Sequence, residues 1–480
     1  MFDTALPSPA TQSAQRRKLI VAEFNELCPW LIDQWMAEGL LPNFKQMHAQ
    51  SAVFETLADV TDPANLEPWI HWYSLHTGLS FDQHKVFHLT EGAQATHEDI
   101  WRIAHAAGCR VVNFAGMNAR PFDFPGSVYV ADPWCEDGNA WPPALNIYNR
   151  FVGTNVREYS NPDARPKAGE YAKFLAFMVT HGLRPATVAA LARQLIGERT
   201  RDRRRSWKRA TLLDRMQMDV FCHYYRKTKA DYATFFINST AHLQHSYWRQ
   251  FQPDAFTVQP DARSSALYGE AIKTGYIAMD RLLGEFMALA DANDAMLVFA
   301  TALSQQPYLA AEESGGRHFY RLRDVEAFFR RFALPYRDVD PTMTHQYFVR
   351  FDSESDRGKT REALISFTLP DGRLLFDFND RTRDGLYFSC DIDTEIDGNT
   401  AITTADGQTL LFSDIAYKID ATKSGRHHPA GALWFRTGTH SRYETPVSIL
   451  DIFPTTLDLL GVNNSTTDRT GTSLRPQLAI

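Results

Sequence analysis

The chain has 480 residues, 44% of them hydrophobic, which is enough for a large core and for about two to three domain-sized units. Its formal charge of −7 disfavours a general nucleic-acid binder, because phosphate binding normally requires a basic surplus. The five cysteines include no C-x-x-C pair, which argues against a disulfide framework or a zinc knuckle. We expect no nucleic-acid partner, and the oligomeric state stays open.

The amino-terminal residues bear on the cellular context. Residues 1–16 are rich in Ser, Pro, Ala and Thr, a composition typical of a disordered leader. They lack the apolar stretch of a signal peptide, and no run elsewhere is long enough to span a membrane. We therefore expect a cytoplasmic protein without a membrane span.

The first predicted element is a buried strand over 19–22 that ends in the acidic and amide residues 23–26. Open α/β sheets form their sites at such strand ends. A helix is predicted to begin at Pro68, where a missing N–H costs nothing, and to stop at Gly78. A helix N-terminus that faces strand-end carboxylates suits an anion, a metal ion, or both.

The remaining elements complete an α/β pattern. A helix that ends at Gly108 precedes a strand over 110–114, the order typical of a parallel sheet. Further strands are predicted over 233–238 and 295–300. The predicted fold class is α/β, with a doubly wound, mostly parallel sheet, a helical insertion and a β-rich insertion. Its core comprises residues 17–150, 216–307 and 431–480, with the helical, basic insertion at 151–215 and the β-rich insertion or cap at 308–430.

The two insertions differ in character. The first contains the strongly basic run Arg199–Arg209, which either binds an anionic substrate, meets nucleic acid or lipid headgroups, or is a solvated helical face. The second contains four Asp-Gly pairs between short alternating segments, and such pairs favour hairpins.

Several motifs together resemble the alkaline phosphatase superfamily, in particular its type I phosphodiesterase and nucleotide pyrophosphatase branch. Residues 39–44 (G-L-L-P-N-F) are similar to the family's G-x-L-P-N-L, and Thr77-Gly78 followed by His84 is similar to its T-G-x-x-P-x-x-H-G. Residues 451–461 (D-I-F-P-T-T-L-D-L-L-G) are similar to its D-I-x-P-T-x-L-x-L-x-G. The resemblance implies the fold given above.

The resemblance also implies two metal ions, usually zinc, and a Thr or Ser nucleophile at the start of a helix. In this chain Pro68 stands at the nucleophile position, with Asn65 and Glu67 as the nearest polar groups. The family's D-x-x-x-H has Ala241 for its Asp but keeps His245. The S-D-H-G motif is matched by residues 301–306, which lack both ligands.

Two of the family's metal-ligand positions, the Asp after the first strand and the closing His, are matched in this chain with alternatives. Glu23 matches the first strand's Asp, with Asn25 or Glu26 replacing it if the register slips, and His440 matches the closing G-x-H. Two histidines and a carboxylate suit a single Zn²⁺ or Fe²⁺. The alternative for His245 is an ordinary hydrogen-bonded histidine beside aromatic residues. We thus predict one divalent metal or none.

The predicted site residues are Glu67 and Asn65 as catalytic groups, Asn25, His242, Arg199 and Arg203 as substrate-binding groups, and Glu23, His245 and His440 as metal ligands. They favour a phosphate- or sulfate-ester hydrolase or transferase with a remodelled site and a small anionic ester substrate. The alternative is a non-catalytic binding protein that recognises an anionic ligand or partner through the same pocket, which the missing nucleophile favours.

Overall fold

A computed structural model describes residues 16–89, 91–135, 139–160, 167–200, 203–310, 312–314, 316–341, 345–379, 385–392, 394–404, 407–419, 423–463 and 468–480. The predicted disordered leader therefore falls outside the described residues, apart from Arg16. Arg201 and Asp202 of the basic run also lie outside them.

The strands of the described chain are β1 Lys18–Phe24, β2 Ser51–Leu57, β3 Val111–Phe114, β4 Val128–Val130, β5 Tyr232–Ile237, β6 Ala295–Ala300, β7 Ser304–Pro307, β8 His318–Leu322, β9 Asp338–Pro341, β10 Gln346–Arg350, β11 Asp377–Asn379, β12 Gly385–Ile392, β13 Ala401–Thr403, β14 Thr409–Leu411, β15 Ala416–Lys418, β16 Gly425–His428, β17 Ala430–Arg436 and β18 Ser441–Ser448.

The α-helices are α1 Pro29–Ala37, α2 Pro42–His48, α3 Pro68–Thr77, α4 Phe81–His84, α5 Ile100–Ala106, α6 Asn146–Ser160, α7 Ala168–Thr180, α8 Pro185–Thr200, α9 Arg209–Thr228, α10 Ser239–Phe251, α11 Ala262–Tyr268, α12 Ala271–Asp291, α13 Val325–Arg331, α14 Glu354–Ile365, α15 Phe412–Ile415 and α16 Ile452–Leu459. No helix in the described ranges is long and apolar enough to cross a membrane.

The central sheet has eight strands in the order β18-β2-β17-β6-β1-β5-β3-β4. The pairs β1–β5, β1–β6, β3–β5, β3–β4 and β2–β18 are parallel, whereas β17 is antiparallel to both β2 and β6. The mostly parallel α/β sheet is thus confirmed. Because β17 is reversed, Ala430 lies at the carboxyl edge of the parallel strands and Arg436 at the amino edge.

Both faces of the central strands are covered, which is why β1, β5 and β6 are nearly continuous apolar runs rather than alternating ones. Along β1, Ile20, Ala22 and Phe24 belong to one hydrophobic cluster, and Leu19 and Val21 belong to the cluster on the opposite face. The first layer includes α1, α9 and α12, and the second includes α3, α5 and α16.

Helix α3 has the predicted bounds, and local chemistry explains both. Pro68 occupies its first turn, and Gly78 ends it in the left-handed region at φ 68°. A Cβ on Gly78 would lie 2.7 Å from the Phe453 ring, so the glycine also permits close packing on α16. The helix begins near the carboxyl edge of the sheet, since Glu67, which precedes it, lies 3.4 Å from His427.

Both predicted insertions are present. Helices α6 to α9 lie between β4 and β5 in the chain. The β-rich segment forms an antiparallel sheet in the order β15-β8-β12-β10-β9, with β11 paired to β12 and its own hydrophobic cluster. It connects to the core next to the antiparallel pair of β7 and β16, where Gln305 lies opposite His427.

Candidate metal and ester site

The carboxyl edge of the sheet gathers one carboxylate and two imidazoles. Glu26 follows β1, His245 lies on α10 after β5, and His427 lies on β16. Glu26 Oε2 is 3.1 Å from His245 Nε2 and 3.5 Å from His427 Nε2. One ligand atom from each of the three residues lies within 4.8 Å of the others, a spacing that could hold a metal ion.

Glu26 is a buried carboxylate with a dense set of donors. Its backbone adopts φ 61°, which takes the chain out of the strand direction. Its Oε1 accepts a 2.7 Å hydrogen bond from Asn25 Nδ2, and its Oε2 accepts one from Gln305 Nε2. Burial alone would raise the pKa of Glu26, but the neighbouring His427 and His245 and the Gln305 amide lower it to about 2. Glu26 is therefore an anion at neutral pH.

His245 has a defined orientation. Its Nδ1 lies 3.0 Å from the Gly425 carbonyl oxygen, and a carbonyl only accepts, so this nitrogen carries a proton. Its Nε2 faces Glu26 Oε2. Ligating histidines are commonly fixed through their other ring nitrogen in this way.

His427 leaves a ligand atom available. Burial lowers its pKa to about 3, so the ring is neutral. The ring forms a hydrogen bond with the backbone of Leu66, while Nε2 has no hydrogen-bond partner among the described residues. The side chain is only 10% exposed. A neutral Nε2 beside an ionised carboxylate places two electron-rich atoms together, an arrangement that a bound cation would stabilise.

Glu67 lies against this cluster as the residue that immediately precedes α3. Its Oε2 is 3.4 Å from His427 Nδ1. Burial raises the pKa of Glu67 to about 7, with Lys423 and His245 opposing the shift. About a quarter of its side chain, 26%, is still exposed, so this carboxyl can reach solvent or a ligand.

Several predicted site residues meet here. Glu67 and His245 are in the cluster, and His242 lies one turn before His245 on α10, with its pKa lowered to about 4 by burial and by His245. Asn25 is used internally: it accepts a 2.7 Å hydrogen bond from Trp72 Nε1 and donates to Glu26 and to Asn238 Oδ1. These hydrogen bonds orient the Glu26 side chain.

The structure does not bring Glu23 and His440 to this cluster. Glu23 contacts His76 Nε2 at 2.9 Å, and His76 lies on α3, within the layer that covers the opposite face of the sheet from Glu26's neighbours. His440 precedes β18 at the amino edge and lies 2.8 Å from the carbonyl oxygen of His48. Of the predicted ligands Glu23, His245 and His440, the structure groups only His245 with this cluster, whose other members are Glu26 and His427.

The other predicted groups lie outside the cluster. The Asn65 amide donates to the Asp62 carboxylate, at 3.0 Å and 2.9 Å. Arg199 is exposed near the end of α8, and the backbone of Arg203 forms part of the 3-10 helix Arg203–Lys208. These arginines belong to the helical segment between β4 and β5.

His427 is the member of the cluster that the sequence motifs do not indicate. Gly425-Arg426-His427 has the same G-x-H spacing as Gly438-Thr439-His440 and precedes a buried strand instead of following one. A Cβ on Gly425 would lie 2.5 Å from both the Gln244 carbonyl oxygen and Gln305 Oε1, so a glycine is required there. The signal in the sequence is this second G-x-H, and the structure gives the reason for its glycine.

The whole chain is similar in structure to several solved proteins. Similar solved structures include wild-type alkaline phosphatase PafA, at 11% identity and a TM-score of 0.46, with 98% of this chain and 99% of that chain covered. Murine ectonucleotide pyrophosphatase/phosphodiesterase 5 is 10% identical with a TM-score of 0.38, covering 95% and 98%. Phosphonoacetate hydrolase from Sinorhizobium meliloti is 13% identical with a TM-score of 0.38, covering 93% and 96%.

These three proteins are members of the alkaline phosphatase superfamily, which the sequence motifs resemble. A scan against protein-family models finds no match. A search of curated proteins also finds none.

Proposed function

We propose that this protein hydrolyses or transfers a phosphate or sulfate ester at a site that holds one divalent metal ion between Glu26, His245 and His427. The observation that carries the proposal is the unpartnered, buried Nε2 of His427 beside the ionised Glu26. Two imidazoles and one carboxylate suit Zn²⁺ or Fe²⁺ and leave positions open. A metal bound there would supply Lewis-acid stabilisation of negative charge on ester oxygens.

The protein's own groups account for the rest of the chemistry. Asn25 and Gln305 hold the Glu26 side chain, while Gln244 Nε2 donates to its backbone carbonyl at 2.8 Å. Glu67 is the group placed to exchange a proton with a reacting oxygen or to attack the ester itself. Because Glu67 directly precedes α3, the positive end of that helix favours an anionic group in the same place.

One observation favours a second function, a non-catalytic protein that binds an anionic ligand. Pro68 stands where the family's nucleophile is expected, and it has no atom that attacks phosphorus or sulfur. In that case the cluster would hold a ligand without turnover.

The first experiment measures the metal content of protein purified without chelator, by elemental mass spectrometry. We expect near-stoichiometric zinc, iron or manganese in the wild type and loss of it in His245→Ala and His427→Ala. The matched control is His440→Ala, which removes an exposed histidine from the other edge of the sheet and should keep the metal. A metal-free wild type, or equal retention in all variants, contradicts the one-metal site.

A second experiment separates catalysis from binding. The metal-loaded wild type is tested on phosphate monoesters, phosphate diesters and sulfate esters, alongside Glu67→Gln. We expect turnover in the wild type and its loss in the variant, with metal content unchanged. Retained metal and anion binding without turnover in the wild type would support the non-catalytic function instead.

A further inference from the structure

Helix α7 presents an apolar face to solvent. Its buried side consists of Phe174, Phe177 and Met178, which belong to the main hydrophobic cluster. The positions on the other side are exposed and follow helical spacing: Ala168, Tyr171, Ala172, Leu175 and Val179. Leu175 is 57% exposed and Val179 is 66% exposed. An amphipathic surface helix normally places polar residues on this side.

Helix α8 repeats the pattern at the same spacing. Its buried positions are Thr187 and Glu198, and its exposed face consists of Pro185, Val188, Ala189, Ala192 and Ile196. Ile196 is 62% exposed. Six of the fourteen exposed large hydrophobic residues in the described chain lie within residues 171–196. Such a concentration marks an interaction site more often than chance exposure.

The segment that carries these two faces is rich in positive charge. Residues 167–209 contain eleven lysines and arginines against three acidic residues, a formal charge of +8 in a chain whose total is −7. Gln194 Nε2 donates to the Arg205 carbonyl oxygen at 2.9 Å, which holds the basic run against α8. Glu198 is paired with Arg209, so this acidic group does not offset the exposed Arg193 and Arg199.

We propose that α7 and α8, with the exposed Arg193, Arg199, Arg204 and Arg205, form a docking surface for an anionic lipid membrane. Aliphatic side chains on one helical face with arginines at its margins are the composition of helices that lie in the plane of a lipid interface. The basic residues supply the attraction to acidic headgroups, at roughly 1 kcal/mol per Lys or Arg near the surface.

The charge distribution favours a membrane over a second copy of the chain. In a two-fold symmetric dimer the same patch occurs on both partners, so the two basic runs would enter one interface. The apolar faces likewise disfavour nucleic acid, whose backbone offers charge but little apolar surface. An acidic lipid layer complements both parts of this patch.

The test is a vesicle flotation assay on the full chain. Large unilamellar vesicles of phosphatidylcholine alone are compared with vesicles containing phosphatidylglycerol, at low and high salt. We expect binding to the anionic vesicles only, and weaker binding at high salt because the charges are screened. Leu175→Glu combined with Ile196→Glu should weaken it at least about tenfold, and each of Arg193→Gln and Arg199→Gln about fivefold.

The matched control is Leu374→Glu combined with Leu411→Glu, which charges two exposed leucines of the β-rich segment and should leave vesicle binding unchanged. All substituted positions are exposed, and circular dichroism checks that each variant is folded. The proposal fails if the wild type ignores anionic vesicles at low salt or if the α7–α8 variant binds like the wild type. It also fails if light scattering finds a dimer that the same variant dissociates, or if duplex DNA competes through these residues.

Discussion

The buried carboxyl of Asp214 should make the stability of the protein depend measurably on pH. This residue lies on α9 and is 3% exposed. The Ser239 hydroxyl, at the start of α10, donates a hydrogen bond to its Oδ2. Burial raises the pKa of Asp214 from 3.8 to about 7, and the Ser239 hydrogen bond only partly opposes the shift.

The sign and size of this dependence of the free energy of unfolding on pH follow from proton linkage. Below pH 3.8 both the folded and the unfolded chain hold the Asp214 proton, so the group costs no stability. Between pH 3.8 and about 7 only the folded chain keeps the proton, and the free energy of unfolding falls as pH rises. A shift of about three pKa units corresponds to about 4 kcal/mol, of which about 3 kcal/mol is lost between pH 5 and pH 8.

The experiment compares the urea midpoints of the wild type and Asp214→Asn at pH 5 and at pH 8. Because the amide never ionises, the variant should gain about 3 kcal/mol on the wild type between these two pH values. Ser239→Ala should enlarge the pH dependence of the wild-type carboxyl, because the hydroxyl stabilises its charged form. If Asp214→Asn loses the same stability at both pH values, Asp214 is ionised in the folded protein and the reasoning is refuted.

Two further substitutions test the buried support of the site. Gly425→Ala should destabilise the chain by about 1–3 kcal/mol and weaken zinc binding, since its Cβ would lie 2.5 Å from Gln305 Oε1. The control Gly358→Ala, on α14 with nothing within 4 Å of a Cβ, should stabilise by about 0.5–1 kcal/mol in the same urea titration. Tyr276→Phe should cost about 1–3 kcal/mol, because the backbone N–H of Cys28 and Gln244 Oε1 each lose a 2.7 Å hydrogen bond; an unchanged midpoint would contradict this.

The parts of the fold that depend on local signals could be predicted from the sequence. The apolar runs of β1, β5 and β6 predict buried strands, and Pro68 and Gly78 predict where α3 begins and ends. His245 lies at the predicted carboxyl edge because it is on the helix that directly follows β5. Each of these features depends only on residues that are neighbours along the chain.

Glu26 and His427 could not be predicted as members of the cluster, because their positions depend on contacts that are not local in the sequence. A strand buried on both faces shows no alternation, so its residues do not reveal that Glu23 faces α3 whereas Glu26 turns toward α10. Likewise, nothing in the apolar run 430–436 reveals that β17 runs against its neighbours. That reversal puts His427, before the strand, at the site and His440, after it, at the opposite edge.

The antiparallel pair of β7 and β16 is the attachment through which the chain enters and leaves the β-rich segment. Tyr387 of this segment also stacks on His88 of the core, with ring centroids 4.1 Å apart. Tyr308 and Ser424, which flank the pair, are joined by a 2.9 Å backbone hydrogen bond, so the segment leaves and re-enters the core at adjacent points. His427 and Gln305 face each other within that attachment, and both contact Glu26. A twist of the attachment would therefore move two of the carboxylate's neighbours together, mechanically linking the distant segment to the candidate metal centre.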